Sequence, residues 1–134
     1  MKTTMENFGN DAGKIWVTLS RYGPLNTTTL QKKSRLSEHN FYAAVGWLAR
    51  ENKIFKNGSK YELRETNLTN KIGEDAGKIW NVLSTQRNCD ISSIAKVTQI
   101  TVRDAYSALG WLAREEKIWM TKEKNNQQFK IGLK

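Results

Sequence analysis

Cysteine, proline and histidine are almost missing from this chain: Cys89, Pro24 and His39 are single occurrences in 134 residues. A lone cysteine excludes an intrachain disulfide and any site built on several thiolates. One histidine and one cysteine supply neither a metal-ligand set nor a nucleophile with an oriented base. The glycines of the DAGK segments stand singly within helical patterns, so no phosphate-cradling loop is present. The chain is therefore expected to be no enzyme and to need no cofactor. Nowhere does an apolar run approach the roughly 20 residues that span a bilayer. The opening MKTTMENFGND lacks the apolar core of a signal peptide, and the expectation is a cytoplasmic protein with no membrane association. Acidic residues are scarce too, 13 against 22 Lys and Arg, for a formal net charge of +9. That charge permits a nucleic acid or another anionic surface as partner without choosing between them.

What the sequence does have is a repeat. GNDAGKIW at Gly9–Trp16 returns as GEDAGKIW at Gly73–Trp80, a shift of 64 residues. At the same shift GWLARE at Gly46–Glu51 returns at Gly110–Glu115, and the two ungapped stretches 9–55 and 73–119 share 20 identities over 47 positions. The chain thus reads as two homologous units, residues 1–67 and 68–134, joined by a short polar segment. Units of this size bury too little surface to be comfortable alone, so the halves are expected to pack on one another as an internal pseudo-dimer within a monomeric chain. Charge is shared evenly, with eleven basic residues in each half against six acidic in the first and seven in the second.

Helical periodicity places a first helix over about Asp11–Arg21, with Ala12, Ile15, Trp16 and Leu19 on its apolar stripe. Asp75, Ala76, Ile79, Trp80 and Leu83 repeat it. The two tryptophans are assigned to the core, the two aspartates to caps or first-turn anions, and Phe8 and Ile72 to hydrophobic staples upstream. The recurrence of Gly13 and Gly77 predicts close packing there. Asn26 and Asp90 are suited to cap short second helices over Thr27–Ser34 and Ile91–Thr98. Third helices follow Ser37 and Thr101, with Thr101 and Asp104 as a capping box. Their stripes are Phe41, Ala44, Val45 and Leu48, then Ala105, Ala108, Leu109 and Leu112. Lys53–Phe55 and Lys60–Leu63 flank an Asn57–Gly58 hairpin signal, and Lys117–Met120 and Phe129–Leu133 are the second pair of strands. Between them runs a polar Lys122–Gln128 loop. Cys89, before the second short helix, is expected to fill a small apolar site.

Helix, turn, short helix, turn, longer helix and hairpin make a winged helix-turn-helix. The fold class is accordingly mainly helical α+β, two tandem winged helix-turn-helix domains related by a pseudo-twofold axis. The signature DAGKIW followed by GWLARExKI also resembles an uncharacterised family of small bacterial and archaeal winged helix-turn-helix proteins. Members of that family are mostly single units, some thought to pair as dimers, so the resemblance implies a covalent counterpart of such a pair. DNA binding is what the resemblance implies by fold alone.

In this fold the third helix presents its N-terminal residues to the major groove. The face opposite the core carries His39, Asn40, Ala43, Gly46 and Arg50 in the first unit and Arg103, Ser107, Gly110 and Arg114 in the second. Asn40, Arg103 and Ser107 are candidates for base edges, and His39 is a further candidate for nucleic-acid contact on this face. Lys32, Lys33, Arg35 and Lys96 are candidates for phosphates, and so are Lys56, Lys60, Lys122 and Lys124 on the wings. The small residues beside indoles, Gly46–Trp47 and Gly110–Trp111, read instead as a domain or protein interface. Two functions follow: a DNA-binding or transcription-associated protein that engages double-stranded DNA, or a non-catalytic module that binds another protein.

Overall fold

A computed structural model describes residues 4–86, 88–122 and 129–134, with side chains described from residue 7 onward apart from that of residue 122. The first unit runs α1 (Thr4–Tyr22), β1 (Leu25–Asn26), α2 (Thr27–Ser34), α3 (Glu38–Arg50), β2 (Ile54–Asn57) and β3 (Lys60–Leu63). The second repeats it as α4 (Thr69–Thr85), β4 (Cys89–Asp90), α5 (Ile91–Thr98), α6 (Val102–Arg114), β5 (Ile118–Lys122) and β6 (Phe129–Leu133). Each unit closes with a three-stranded antiparallel sheet, in the orders β1-β3-β2 and β4-β6-β5.

The short helices begin where their caps say. Asn26 Oδ1 accepts from the Thr29 amide at 2.8 Å, and Asp90 Oδ1 from the Ser93 amide at 2.8 Å. Ser37 and Thr101 do the same for α3 and α6. The reciprocal half of the expected capping box is diverted, because the Asp104 carboxylate lies 3.3 Å from Lys71 Nζ. Ile54 pairs with Leu63 and Asn57 with Lys60, which moves the tight turn one residue on from the expected pair, to Gly58–Ser59. Gly58 takes φ +63° there, the backbone that a primed hairpin turn requires at its first position. The two-residue strands β1 and β4, absent from the sequence reading, exist only by pairing with β3 and β6.

The first and fourth helices differ most from expectation. They start well before Asp11 and Asp75, so neither aspartate is a cap, and Phe8 and Ile72 are helical core residues rather than staples. The apolar stripe extends a turn backwards, as Phe8–Ala12–Ile15–Leu19 and Ile72–Ala76–Ile79–Leu83, all buried. Phe8 packs into the core of the second unit and Ile72 into that of the first. Each helix is thus prolonged by a turn that its neighbour covers. Trp16 and Trp80, expected inside, are 46% and 42% exposed, since one residue beyond Ile15 or Ile79 rotates a side chain about 100° to the edge of the stripe. Gly13 and Gly77 do not mark close packing either: a Cβ at either would meet nothing within 4 Å. Cys89 is buried, with Sγ 3.1 Å from Gln86 Oε1, and burial raises its thiol pKa.

The close approach lies elsewhere. Alpha-helices α3 and α6 cross so tightly that a Cβ on Gly46 would fall on the Ser107 carbonyl, and one on Gly110 on the Ala43 carbonyl. Tyr42, Trp47 and Trp111 touch the cores of both units across this crossing.

Candidate nucleic-acid interface

The crossing decides which side chains remain available to a partner. Ala43, Gly46, Ser107 and Gly110 are all buried in it. Ser107 is 7% exposed, so this candidate for a base edge is covered by the neighbouring unit. Two reciprocal ion pairs close the crossing at its far end, Arg50 Nε to Glu115 Oε2 at 3.0 Å and Arg114 Nε to Glu51 Oε2 at 3.0 Å. Their guanidinium groups lie over Trp111 and Trp47, 5.7 and 5.8 Å from the ring centroids. The Trp47 ring also covers Gly9, as Trp111 more loosely covers Gly73. All four candidate interface residues therefore sit at or beside the junction between the units.

At the other end of the crossing the two units are no longer alike. His39 stacks on Tyr106 of the opposite unit, centroids 4.3 Å apart and planes 13° from parallel. Arg103, its counterpart, reaches Glu38 at 3.3 Å and lies 5.7 Å from the centre of the Tyr42 ring. Both side chains are exposed but engaged across the junction, while Asn40 is exposed on the first turn of α3. A hollow of about 560 Å³ opens beside them, lined by Thr27, Thr28, Glu38, Lys56 and Arg103 among others. It brings together a wing lysine, the first turn of α2 and an arginine from the other unit. Lys56 is anchored through its backbone, which exchanges hydrogen bonds of 2.9 and 2.7 Å with the Asn67 side chain. Lys60 is exposed on the adjacent strand, opposite Asn57.

Lys32, Lys33 and Arg35 gather elsewhere, around a separate hollow between α1 and α2. Lys96 is exposed in the last turn of α5 without their company. Lys122 stands on β5 opposite Phe129, its side chain outside the described part; Lys124 and the rest of its loop lie outside the described residues. Sequence reasoning passed over Lys14 and Arg21, which face the α1–α2 hollow with Lys32, Lys33 and Arg35. Their seven-residue spacing, two turns along one face of α1, and the cluster KKSR were the available signals.

Among the described residues no group of three His, Cys, Asp or Glu side chains could hold a metal ion, and no helix is long and apolar enough to cross a membrane.

Two helix-turn-helix units, each closed by a β-hairpin wing and crossed through their third helices, make this a tandem winged helix-turn-helix protein. More particularly, the chain belongs to the winged helix-turn-helix domain family DUF2582, whose sequence profile matches residues 1–67 and again 66–131. It is similar to uncharacterized protein MJ1608 of Methanocaldococcus jannaschii, 34% identical over 67 residues that cover 46% of this chain and 90% of that protein. That relative corresponds to one unit. No solved structure matches the chain.

Proposed function

We propose that this protein docks on double-stranded DNA through phosphate contacts and reads base sequence weakly. The observation that supports this reading is the division of its surface at the α3–α6 crossing. The faces that would enter a major groove are spent on the junction, whereas Lys56 and Arg103 converge with the hydroxyls of Thr27 and Thr28 on one open hollow. Lys60 extends the same cationic edge along the wing. Arginine carries five N–H donors, so Arg103 retains donors beyond the one given to Glu38. Contacts of this kind position a protein on the duplex and carry no sequence information.

Fluorescence anisotropy with duplexes of unrelated sequence, repeated across salt concentrations, tests the proposal. Affinity should fall steeply with salt and differ little between sequences. Lys56→Ala should weaken every duplex alike and reduce the log–log salt slope by about 1. Arg103→Ala should behave in the same way rather than relax a base preference. No binding at low salt, or a slope indifferent to both substitutions, would refute the docking surface.

A second reading rests on a different observation. Trp16 and Trp47 line a hollow of about 350 Å³ in the first unit, and Trp80 and Trp111 one of about 380 Å³ in the second. Half-exposed indoles in matching grooves suit a protein partner. Failure of every duplex to bind, with a partner protein protecting Trp16 and Trp80 from quenching, would favour this reading.

A further inference from the structure

The α1–α2 hollow of the first unit has a volume of about 820 Å³, more than the wing hollow or either tryptophan groove. Lys14, Arg21, Lys32, Lys33 and Arg35 line it, and no carboxylate among the described residues does. Lys14 has Asp11 at 3.8 Å, and Lys33 Nζ rests 4.2 Å from the centre of the Tyr22 ring. For Arg21, Lys32 and Arg35 no carboxylate partner occurs among the described residues. Helix C-termini explain only part of this crowding. The ends of α1 and α2 each present roughly half a negative charge, which offsets about one of the five cations.

The duplication supplies an internal control. At the same shift of 64 residues the second unit has Lys78, Thr85, Lys96, Val97 and Gln99 in place of the five cations, and Glu74 in place of the lining Asn10. The same backbone therefore folds without this charge. Gln99 even repeats the left-handed conformation of Arg35, with φ 59° against 58°, so nothing in the turn demands an arginine.

We propose that this hollow binds a small organic polyphosphate, a molecule with two or more linked phosphates on an apolar or aromatic body. Excess positive charge with no local counterion selects for the phosphates through charge-assisted hydrogen bonds. Val17 and the half-exposed Tyr22 ring give the body an apolar wall. The volume lies within the roughly 300–1,000 Å³ of small-molecule sites. A duplex carries its phosphates on a convex rod and would meet such a concavity only at the rim. Arg35, the left-handed C-cap residue between α2 and α3, is part of the lining, so an occupant touches the helix-turn-helix directly.

Calorimetric titration of the full chain with inorganic tripolyphosphate and with a nucleoside triphosphate tests this. Saturable one-to-one binding of both is expected. The variant Arg21→Thr/Lys33→Val/Arg35→Gln, which installs residues the second unit already folds with, should lose at least tenfold in affinity. Arg21→Thr alone should lose part of that, and Lys56→Ala/Lys60→Ala none. The inference is overturned by absence of saturation into the millimolar range, or by equal binding to the triple variant. It is overturned equally if the triple variant loses duplex binding while the wing variant keeps it, because the hollow is then a duplex surface. Tripolyphosphate bound with the nucleotide refused would remove the organic body. Failure of the chain to bind any duplex, with tripolyphosphate binding intact, would defeat the docking proposal and leave this one standing.

Discussion

The two units share a backbone plan and differ in what they show to solvent. The first gathers five cations around its α1–α2 hollow; the second has two at the equivalent positions, and Glu74 in place of Asn10. At the crossing the first unit contributes Glu38 and His39, the second Val102 and Arg103, so of two equivalent contacts one is a ring stack and the other an ion pair. Yet eight of the nine residues that line the tryptophan grooves are identical between the units, with Val17 against Asn81 the exception. The identities thus cluster where helices α1 and α3, or α4 and α6, meet and cross. The differences cluster on the second helices and on the first turns of the third. The lesson is that a pseudo-dimer can keep one symmetric frame and specialise only one half of its surface.

Glycine offers the largest contrast. Gly46→Val or Gly110→Val drives a side chain into a backbone carbonyl that cannot step aside, and should cost about 3 kcal/mol or more in urea unfolding, whichever unit carries the change. Gly13→Ala and Gly77→Ala, in open space on their helices, should instead stabilise by up to about 1 kcal/mol. Equal effects at the two kinds of position would dissolve the distinction between a crossing glycine and an unconstrained one.

The buried aspartates come next. Asp75, 2% exposed, accepts from Lys71 Nζ at 2.7 Å, whereas Asp11 has, among the described residues, only Lys14 at 3.8 Å, and has asparagine where Lys71 stands. Asp75→Asn should therefore cost roughly 2 kcal/mol, and Asp11→Asn little or nothing at neutral pH. Burial raises the Asp11 pKa above its ordinary 3.8 despite Lys14. The protonated group is thus favoured by folding, and its contribution is present at acid pH and lost as pH rises through the raised value. Comparing the two asparagine variants by thermal unfolding at pH 3.5 and pH 7 checks this: replacing Asp11 should help more at the higher pH.

The caps give the smallest and most specific test. Asn26→Ala and Asp90→Ala should each cost about 1 kcal/mol at pH 7. Asp90 is ionisable and its pKa is lowered, first by the backbone hydrogen bond from Ser93. Its stabilisation is present above the unfolded value near 3.8 and is lost as pH falls through the lower folded value. The Asp90→Ala penalty should shrink in acid while the Asn26→Ala penalty stays constant. Parallel pH profiles would show that the two caps are not physically different.

Local signals made much of this fold legible. The 64-residue repeat announced two units, the caps Asn26, Ser37, Asp90 and Thr101 fixed where helices begin, and alternation beside Gly58 found the first wing. These are short-range effects, written within a few residues of chain. The Gly–Trp pairs also pointed to a junction, because a glycine among apolar neighbours on a helix invites another backbone. What escaped the sequence required a partner surface. Phe8 and Ile72 prolong α1 and α4 only because the opposite unit covers them, and β1 and β4 exist only where β3 and β6 pass. The α1–α2 hollow joins Lys14 and Arg21 to the KKSR cluster through packing alone. Sequence by itself determined the repeat, the helices and the starts of the second and third helix of each unit, since hydrogen bonds and periodicity are local. Tertiary structure decided which faces were spent and which remained exposed, because burial depends on what a distant segment brings against them.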